Sequence, residues 1–105
     1  MNKNNTNPKF QETETYRPNK SEKELIRAML LLKNEEDMAN FLRDLLTLAE
    51  IEEFANRLEI AKLLLKGISY QKIAQETGVS TTTVTRVAHW LFKGCGGYWK
   101  VLKKK

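Results

Sequence analysis

The chain has one cysteine and one histidine in 105 residues. Cys95 alone excludes an internal disulfide framework, and with His89 as the only imidazole it leaves no plausible set of metal ligands. No metal is expected, and a reducing cytoplasm is the compartment this thiol usage fits. Both prolines fall within residues 1–19. Long apolar runs are missing: Ala28 to Leu32 and Leu63 to Leu65 are far too short to span a bilayer, and the polar N-terminus has no signal-peptide core. A soluble, unexported chain with no membrane partner is expected. Catalytic signatures are missing too, with no nucleophile elbow and no glycine-rich phosphate loop, so no enzyme is expected. Glu50, Glu52 and Glu53 read as a solvated helix face. His89 reads as a groove-facing or phosphate-contacting side chain, and Cys95, between glycines, as a lone thiol with redox sensing as the alternative.

What is present is enough for one domain with a modest core: 12.2 kDa and 41% hydrophobic residues. The net charge of +5 is unevenly divided. Residues 1–33 carry seven Lys/Arg against four Asp/Glu, residues 34–66 four against eight, and residues 67–105 seven against one. The last third is therefore at +6, part of it in the Lys103-Lys104-Lys105 end. Clustered positive charge is the footprint of a duplex binder, whose counterion release supplies sequence-independent affinity.

Residues 1–19, rich in Asn, Thr and Lys, are expected to be disordered or an arm, and residues 20–105 a single all-helical domain. Ser21-x-x-Glu24 is a capping-box signature, followed by Leu25, Ala28, Met29 and Leu32, which predicts a helix over about 22–33. Asn34 can cap a second helix, with Glu35, Glu36 and Asp37 in its first turn and Met38, Phe41, Leu42 and Leu45 as its stripe, ending near Leu46. Thr47-x-x-Glu50 opens a third, running to Lys66 and closed by Gly67. Its second half is apolar over most of its circumference.

Residues 70–91, YQKIAQETGVSTTTVTRVAHWL, carry a helix-turn-helix pattern. Ser69 caps a first short helix that Ile73 and Ala74 close, with Ala74 small where the second helix crosses. Gly78 suits a turn of positive φ, and Ser80 caps the second helix. At 100° per residue Val84, Val87, Ala88 and Leu91 share one sector. The opposite face carries Thr82, Thr85, Arg86 and His89, with Thr81 at its edge, and is the face a recognition helix lays into the major groove. A plain helical hairpin with a solvated threonine face is the alternative. Gly94, Gly96 and Gly97 then break the chain before a short last helix, Tyr98 to Leu102.

Six helices with four strong apolar stripes offer more hydrophobic surface than a small monomer easily buries, so a homodimer is expected. Two-fold symmetry would place two recognition helices about 34 Å apart in successive major grooves.

From Phe41 to Leu91, and in particular at Leu46-Thr47, Arg57, Leu64-Leu65-Lys66-Gly67 and Thr83-Val84-Thr85-Arg86, the chain resembles the Trp repressor family, especially its smaller TrpR-related, YerC/YecD-type branch. The resemblance implies an all-α, six-helix fold in an intertwined homodimer that represses transcription. It implies that Lys72, Thr81, Thr82 and Thr85 approach base edges and that phosphate contacts lie near Gln71 and Thr83. With Ser80, Arg86 and His89, these make up the expected DNA-binding set. The expected partners are double-stranded DNA and a second copy of the chain. An architectural or protein-interaction dimer that does not read sequence is the alternative.

The family's tryptophan-binding site is implied at Thr47, Arg57, Arg86, Val87 and Trp90, with three departures. Val87 stands where a glycine admits the indole, Trp90 where a serine meets the ligand's amino group, and the turn of the motif is one residue shorter. No cofactor is expected to be required, and L-tryptophan or another small effector is the alternative. Trp90 lies on the same flank of its helix as Thr83 and Arg86. Its indole is expected either to take the space of a free indole or to serve as an interfacial aromatic.

Overall fold

The computed structural model describes residues 14–103, in which six α-helices and no strand are found: α1 (Lys20–Leu30), α2 (Glu35–Leu45), α3 (Leu48–Leu65), α4 (Tyr70–Thr77), α5 (Thr81–Lys93) and α6 (Gly97–Leu102). Most of the expected N-terminal arm and the Lys104-Lys105 end lie outside the described residues. The chain divides into two compact units, residues 16–55 and residues 56–103, and α3 contributes to both.

In the first unit α1 starts earlier than its sequence predicts. Asn19, and not Ser21, is the cap: its Oδ1 accepts from the Glu22 amide at 2.8 Å, while Glu22 Oε1 accepts from the Asn19 amide at 3.0 Å. Two overlapping capping signatures compete here. The one with the carboxamide wins because Asn19–Glu22 satisfies two end amides reciprocally, whereas the Ser21 hydroxyl is turned onto Asn19 Oδ1 at 3.1 Å. Tyr16 donates to the same Glu22 carboxylate at 2.9 Å. The Asn19 amide and this phenol hold the Glu22 carboxyl below its ordinary value, and the bond to Glu22 raises the Tyr16 phenol.

The helix stops at Leu30 and not at Lys33, because the next cap follows at once: Asn34 Oδ1 accepts from the Asp37 amide at 2.8 Å and starts α2. α3 opens on the expected reciprocal pair, with Thr47 Oγ1 accepting from the Glu50 amide at 3.1 Å and Glu50 Oε1 from the Thr47 amide at 2.9 Å. Neither α1 nor α2 buries a single residue fully within the chain. Of the expected stripe residues, Ala28, Met29, Leu32, Met38, Phe41 and Leu42 are half-buried and Leu25 and Leu45 exposed, and Leu30 and Leu31, off the stripe, are exposed as well.

The second unit holds the core. Ile60, Ala61 and Leu64 of α3, Ile73 of α4, Val84, Val87, Ala88 and Leu91 of α5, and Trp99 of α6 are buried in one cluster. The apolar end of α3 is thus covered on one sector, with Leu63 and Leu65 half-buried and Leu58 exposed. At its end the Gly67 amide returns to the Leu64 carbonyl at 3.0 Å and the Ile68 amide to Leu63 at 3.2 Å. That 5→2 and 6→1 pair requires the left-handed conformation Gly67 adopts, φ +82°.

Candidate nucleic-acid interface

The helix-turn-helix is assembled from three local decisions. Ser69 accepts from the Lys72 amide at 3.2 Å and starts α4. Gly78, at φ +80°, ends it by returning its amide to the Ala74 carbonyl at 2.9 Å, and the Thr77 hydroxyl donates to the Ile73 carbonyl at 2.7 Å. A side chain at that φ would be strained, which is why the turn falls on a glycine. Ser80 then accepts from the Thr83 amide at 3.1 Å and starts α5. α4 and α5 close on each other through Ile73 and Val84, both fully buried.

This seating decides which face of α5 stays in water. Val84, Val87, Ala88 and Leu91 are buried, and Thr81, Thr82, Thr85, Arg86 and His89 are all exposed on the other side. Three hydroxyls, a guanidinium and an imidazole therefore share one convex surface, suited to donating to and accepting from base edges and to contacting phosphates. The amides in the first turn of α5 add partial positive charge at its leading end.

Not every expected residue is equally available. The Ser80 and Thr83 hydroxyls lie 3.2 Å apart and share the cap, so their first function is to begin the helix. Gln71 and Lys72 are exposed on α4, and Lys72 Nζ lies 3.9 Å from Glu76 Oε2, one turn on. Glu76 is the only carboxylate in residues 67–105. Its spacing of four from Lys72 is the signal of this pair in the sequence.

The implied effector residues fall on separate elements. Thr47 caps α3, Arg57 lies exposed within α3, and Arg86, Val87 and Trp90 are on α5. Val87 is 4% exposed and belongs to the core, so its side chain fills the volume that a glycine would leave open. Trp90 is 46% exposed, and its indole stands edge-on to His89, ring centres 4.8 Å apart at 85°. Within the chain the indole is not enclosed. Arg57 acts on α6 electrostatically: burial raises the Tyr98 phenol, and the guanidinium partly offsets this. Among the described residues no group of His, Cys, Asp and Glu is placed to hold a metal, and no helix is long and apolar enough to cross a membrane.

The Trp repressor protein family model matches residues 20–105, which takes in all six helices. The chain belongs to the Trp repressor family. It is similar to YerC of Bacillus subtilis (strain 168), itself uncharacterised, at 43% identity over 75 residues, covering 71% of this chain and 72% of that protein. Among solved structures, a TrpR-like protein from Eubacterium eligens ATCC 27750 superposes with a TM-score of 0.76 at 36% identity, over 79% of this chain and 86% of that one. A chain from Staphylococcus aureus, assigned provisionally as a Trp repressor, superposes at 0.73 with 40% identity, over 77% and 81%. The all-helical architecture is therefore that of TrpR-like proteins, and the family is one of DNA-binding regulators rather than enzymes.

Proposed function

We propose that the protein is a sequence-specific regulator of transcription, a repressor, that binds a pseudo-palindromic operator in double-stranded DNA as a cytoplasmic homodimer. The observation that carries this reading is the division of α5. One sector is buried with Val84 and Leu91 at 0% exposure, and the opposite one presents Thr81, Thr82, Thr85, Arg86 and His89 to solvent, in the third of the chain that holds the +6 charge. A helix seated this way enters the major groove with its polar face, and the surrounding charge supplies affinity for any duplex.

Support for the dimer comes from apolar surface with nothing over it. Leu30, Leu31, Leu45 and Leu48 are 72%, 75%, 48% and 64% exposed in the single chain, at the ends of helices and beside them. A second copy covers such a surface and sets the two reading helices one helical turn apart.

The reading includes no required corepressor. Val87 occupies core volume where a glycine would admit an indole, which argues against an obligatory tryptophan site. Selection from a random duplex pool at near-physiological salt, with no ligand added, tests all of this. Enrichment of a pseudo-palindrome with half-sites about one turn apart is expected, and free tryptophan should leave the affinity for it unchanged. No enrichment with or without tryptophan would overturn sequence reading in favour of an architectural dimer.

A further inference from the structure

The two ends of the recognition helix are held by different means, and the C-terminal one is unusual. α3 and α4 both close on a left-handed glycine whose amide returns to the preceding turn. α5 does not: Gly94 has φ −98° and ψ −145°, and among the described residues no backbone amide beyond Lys93 bonds back to the last turn. The carbonyls of a helix's last turn have no amide of their own helix to accept from, and one that is buried needs another donor.

One of these carbonyls finds a side chain eight residues on. The Trp99 indole nitrogen donates to the Leu91 carbonyl at 2.5 Å, with Leu91 at 0% and Trp99 at 8% exposure. The chain reaches this position by way of Gly94, where a Cβ would run into the Trp90 carbonyl, and Gly96, at φ +88°. The Trp99 ring is held in turn by Phe92, centres 6.3 Å apart, and by the Lys103 ammonium 5.9 Å from its centre.

We propose that Trp99 is a positioning residue for DNA reading: its indole N–H on the Leu91 carbonyl clamps the last turn of the recognition helix and so sets how Arg86 and His89 are presented. The inference rests on the DNA-reading function above. Leu91 lies two residues beyond His89 and five beyond Arg86 on the same rigid helix. Release of its carbonyl would let the distal turn unwind or tilt while the core contacts of Val84 keep the proximal turn in place. The clamp supplies from within the chain a constraint on the reading helix that needs no bound ligand.

The variant Trp99→Phe keeps an aromatic ring in the core and removes the donor together with part of the ring's bulk. Its affinity for the selected operator is expected to fall about tenfold, the scale of one buried hydrogen bond, with affinity for unrelated duplex unchanged. Unchanged operator affinity overturns the proposal. So does an equal loss on both duplexes accompanied by a lowered melting temperature, the signature of a merely structural role. If the variant does not fold, proton exchange of the two indole N–H groups in the wild-type protein decides. Trp90, half exposed, is the internal control. Trp99 must exchange far more slowly, and more slowly still on operator DNA; exchange at the Trp90 rate, or no further slowing on DNA, overturns the clamp. A wild-type protein that prefers no duplex sequence would count against the DNA-reading function itself, whatever the exchange rates show.

Discussion

At Thr82 and Lys72 the difference between gripping a backbone and reading a base can be measured. Thr82 is exposed on the convex face of α5 with no partner in its own cap, unlike Thr83, whose hydroxyl faces Ser80. Lys72 reaches from α4, restrained among the described residues by a weak, solvated contact with Glu76. Thr82→Ala is expected to relax preference at one base position per half-site, by about 1 kcal/mol of discrimination. Lys72→Ala should weaken binding to every duplex and lower the salt slope by about one, and should also shift preference where it approaches a base edge. Binding isotherms on operator and scrambled duplex at several salt concentrations check both. Unaltered sequence preference in both variants would show that the motif does not read bases through these side chains. Residue patterning pointed to Thr82, because a recognition face is the complement of a core face, whereas Lys72 came from the resemblance to the Trp repressor family. Glu76 was less visible, since one carboxylate in a basic segment reads as background until its partner is placed.

At the scale of the element, caps decide where helices begin, and α1 shows how two adjacent signatures are resolved. Asn19 and Ser21 both precede a glutamate by three residues. The structure uses Asn19 with Glu22. Asn19→Ala should therefore cost about 1 kcal/mol of stability, while Ser21→Ala should change it by less than about half that, since its hydroxyl bonds only to the cap's own side chain. Urea denaturation of the two variants at one protein concentration makes the comparison. Equal losses would mean that the helix starts at either cap. Elsewhere the caps at Asn34, Thr47, Ser69 and Ser80 stand where local chemistry put them, each side chain accepting from an amide three residues on. The end of α5 is a different matter. Its closure comes from Trp99, and no local pattern announces a bond between residues eight apart.

At the scale of the whole molecule, the exposed leucines of α1, α2 and the start of α3 are where the proposed dimer is tested. Leu31 and Leu48 make little contact within the chain, at 75% and 64% exposure, so a charge there should cost the isolated chain almost nothing. Leu31→Glu and Leu48→Glu are expected to leave helicity intact at high concentration, to lower the sedimenting mass to that of a monomer, and to abolish tight operator binding. Sedimentation equilibrium beside circular dichroism separates these effects. A variant that stays dimeric would show that its leucine is not at the interface. Paired half-sites multiply weak contacts, so loss of the dimer should cost far more affinity than any single threonine.

Much of this protein was determined by the sequence alone. Apolar residues at helical spacing, capping residues and two left-handed glycines specify helices two to five nearly to the residue, because each of those signals acts within one turn of chain. The division of α5 into a buried and a polar face was equally legible, since it follows from 100° per residue. The Trp repressor family was visible in the run from Phe41 to Leu91. Only the tertiary structure decided which of two caps starts α1, that the Trp90 indole rests on His89 in the open, and that Trp99 closes the recognition helix. The physical reason is common to these: each depends on which groups meet or compete in space, and periodicity along one helix carries no information about that.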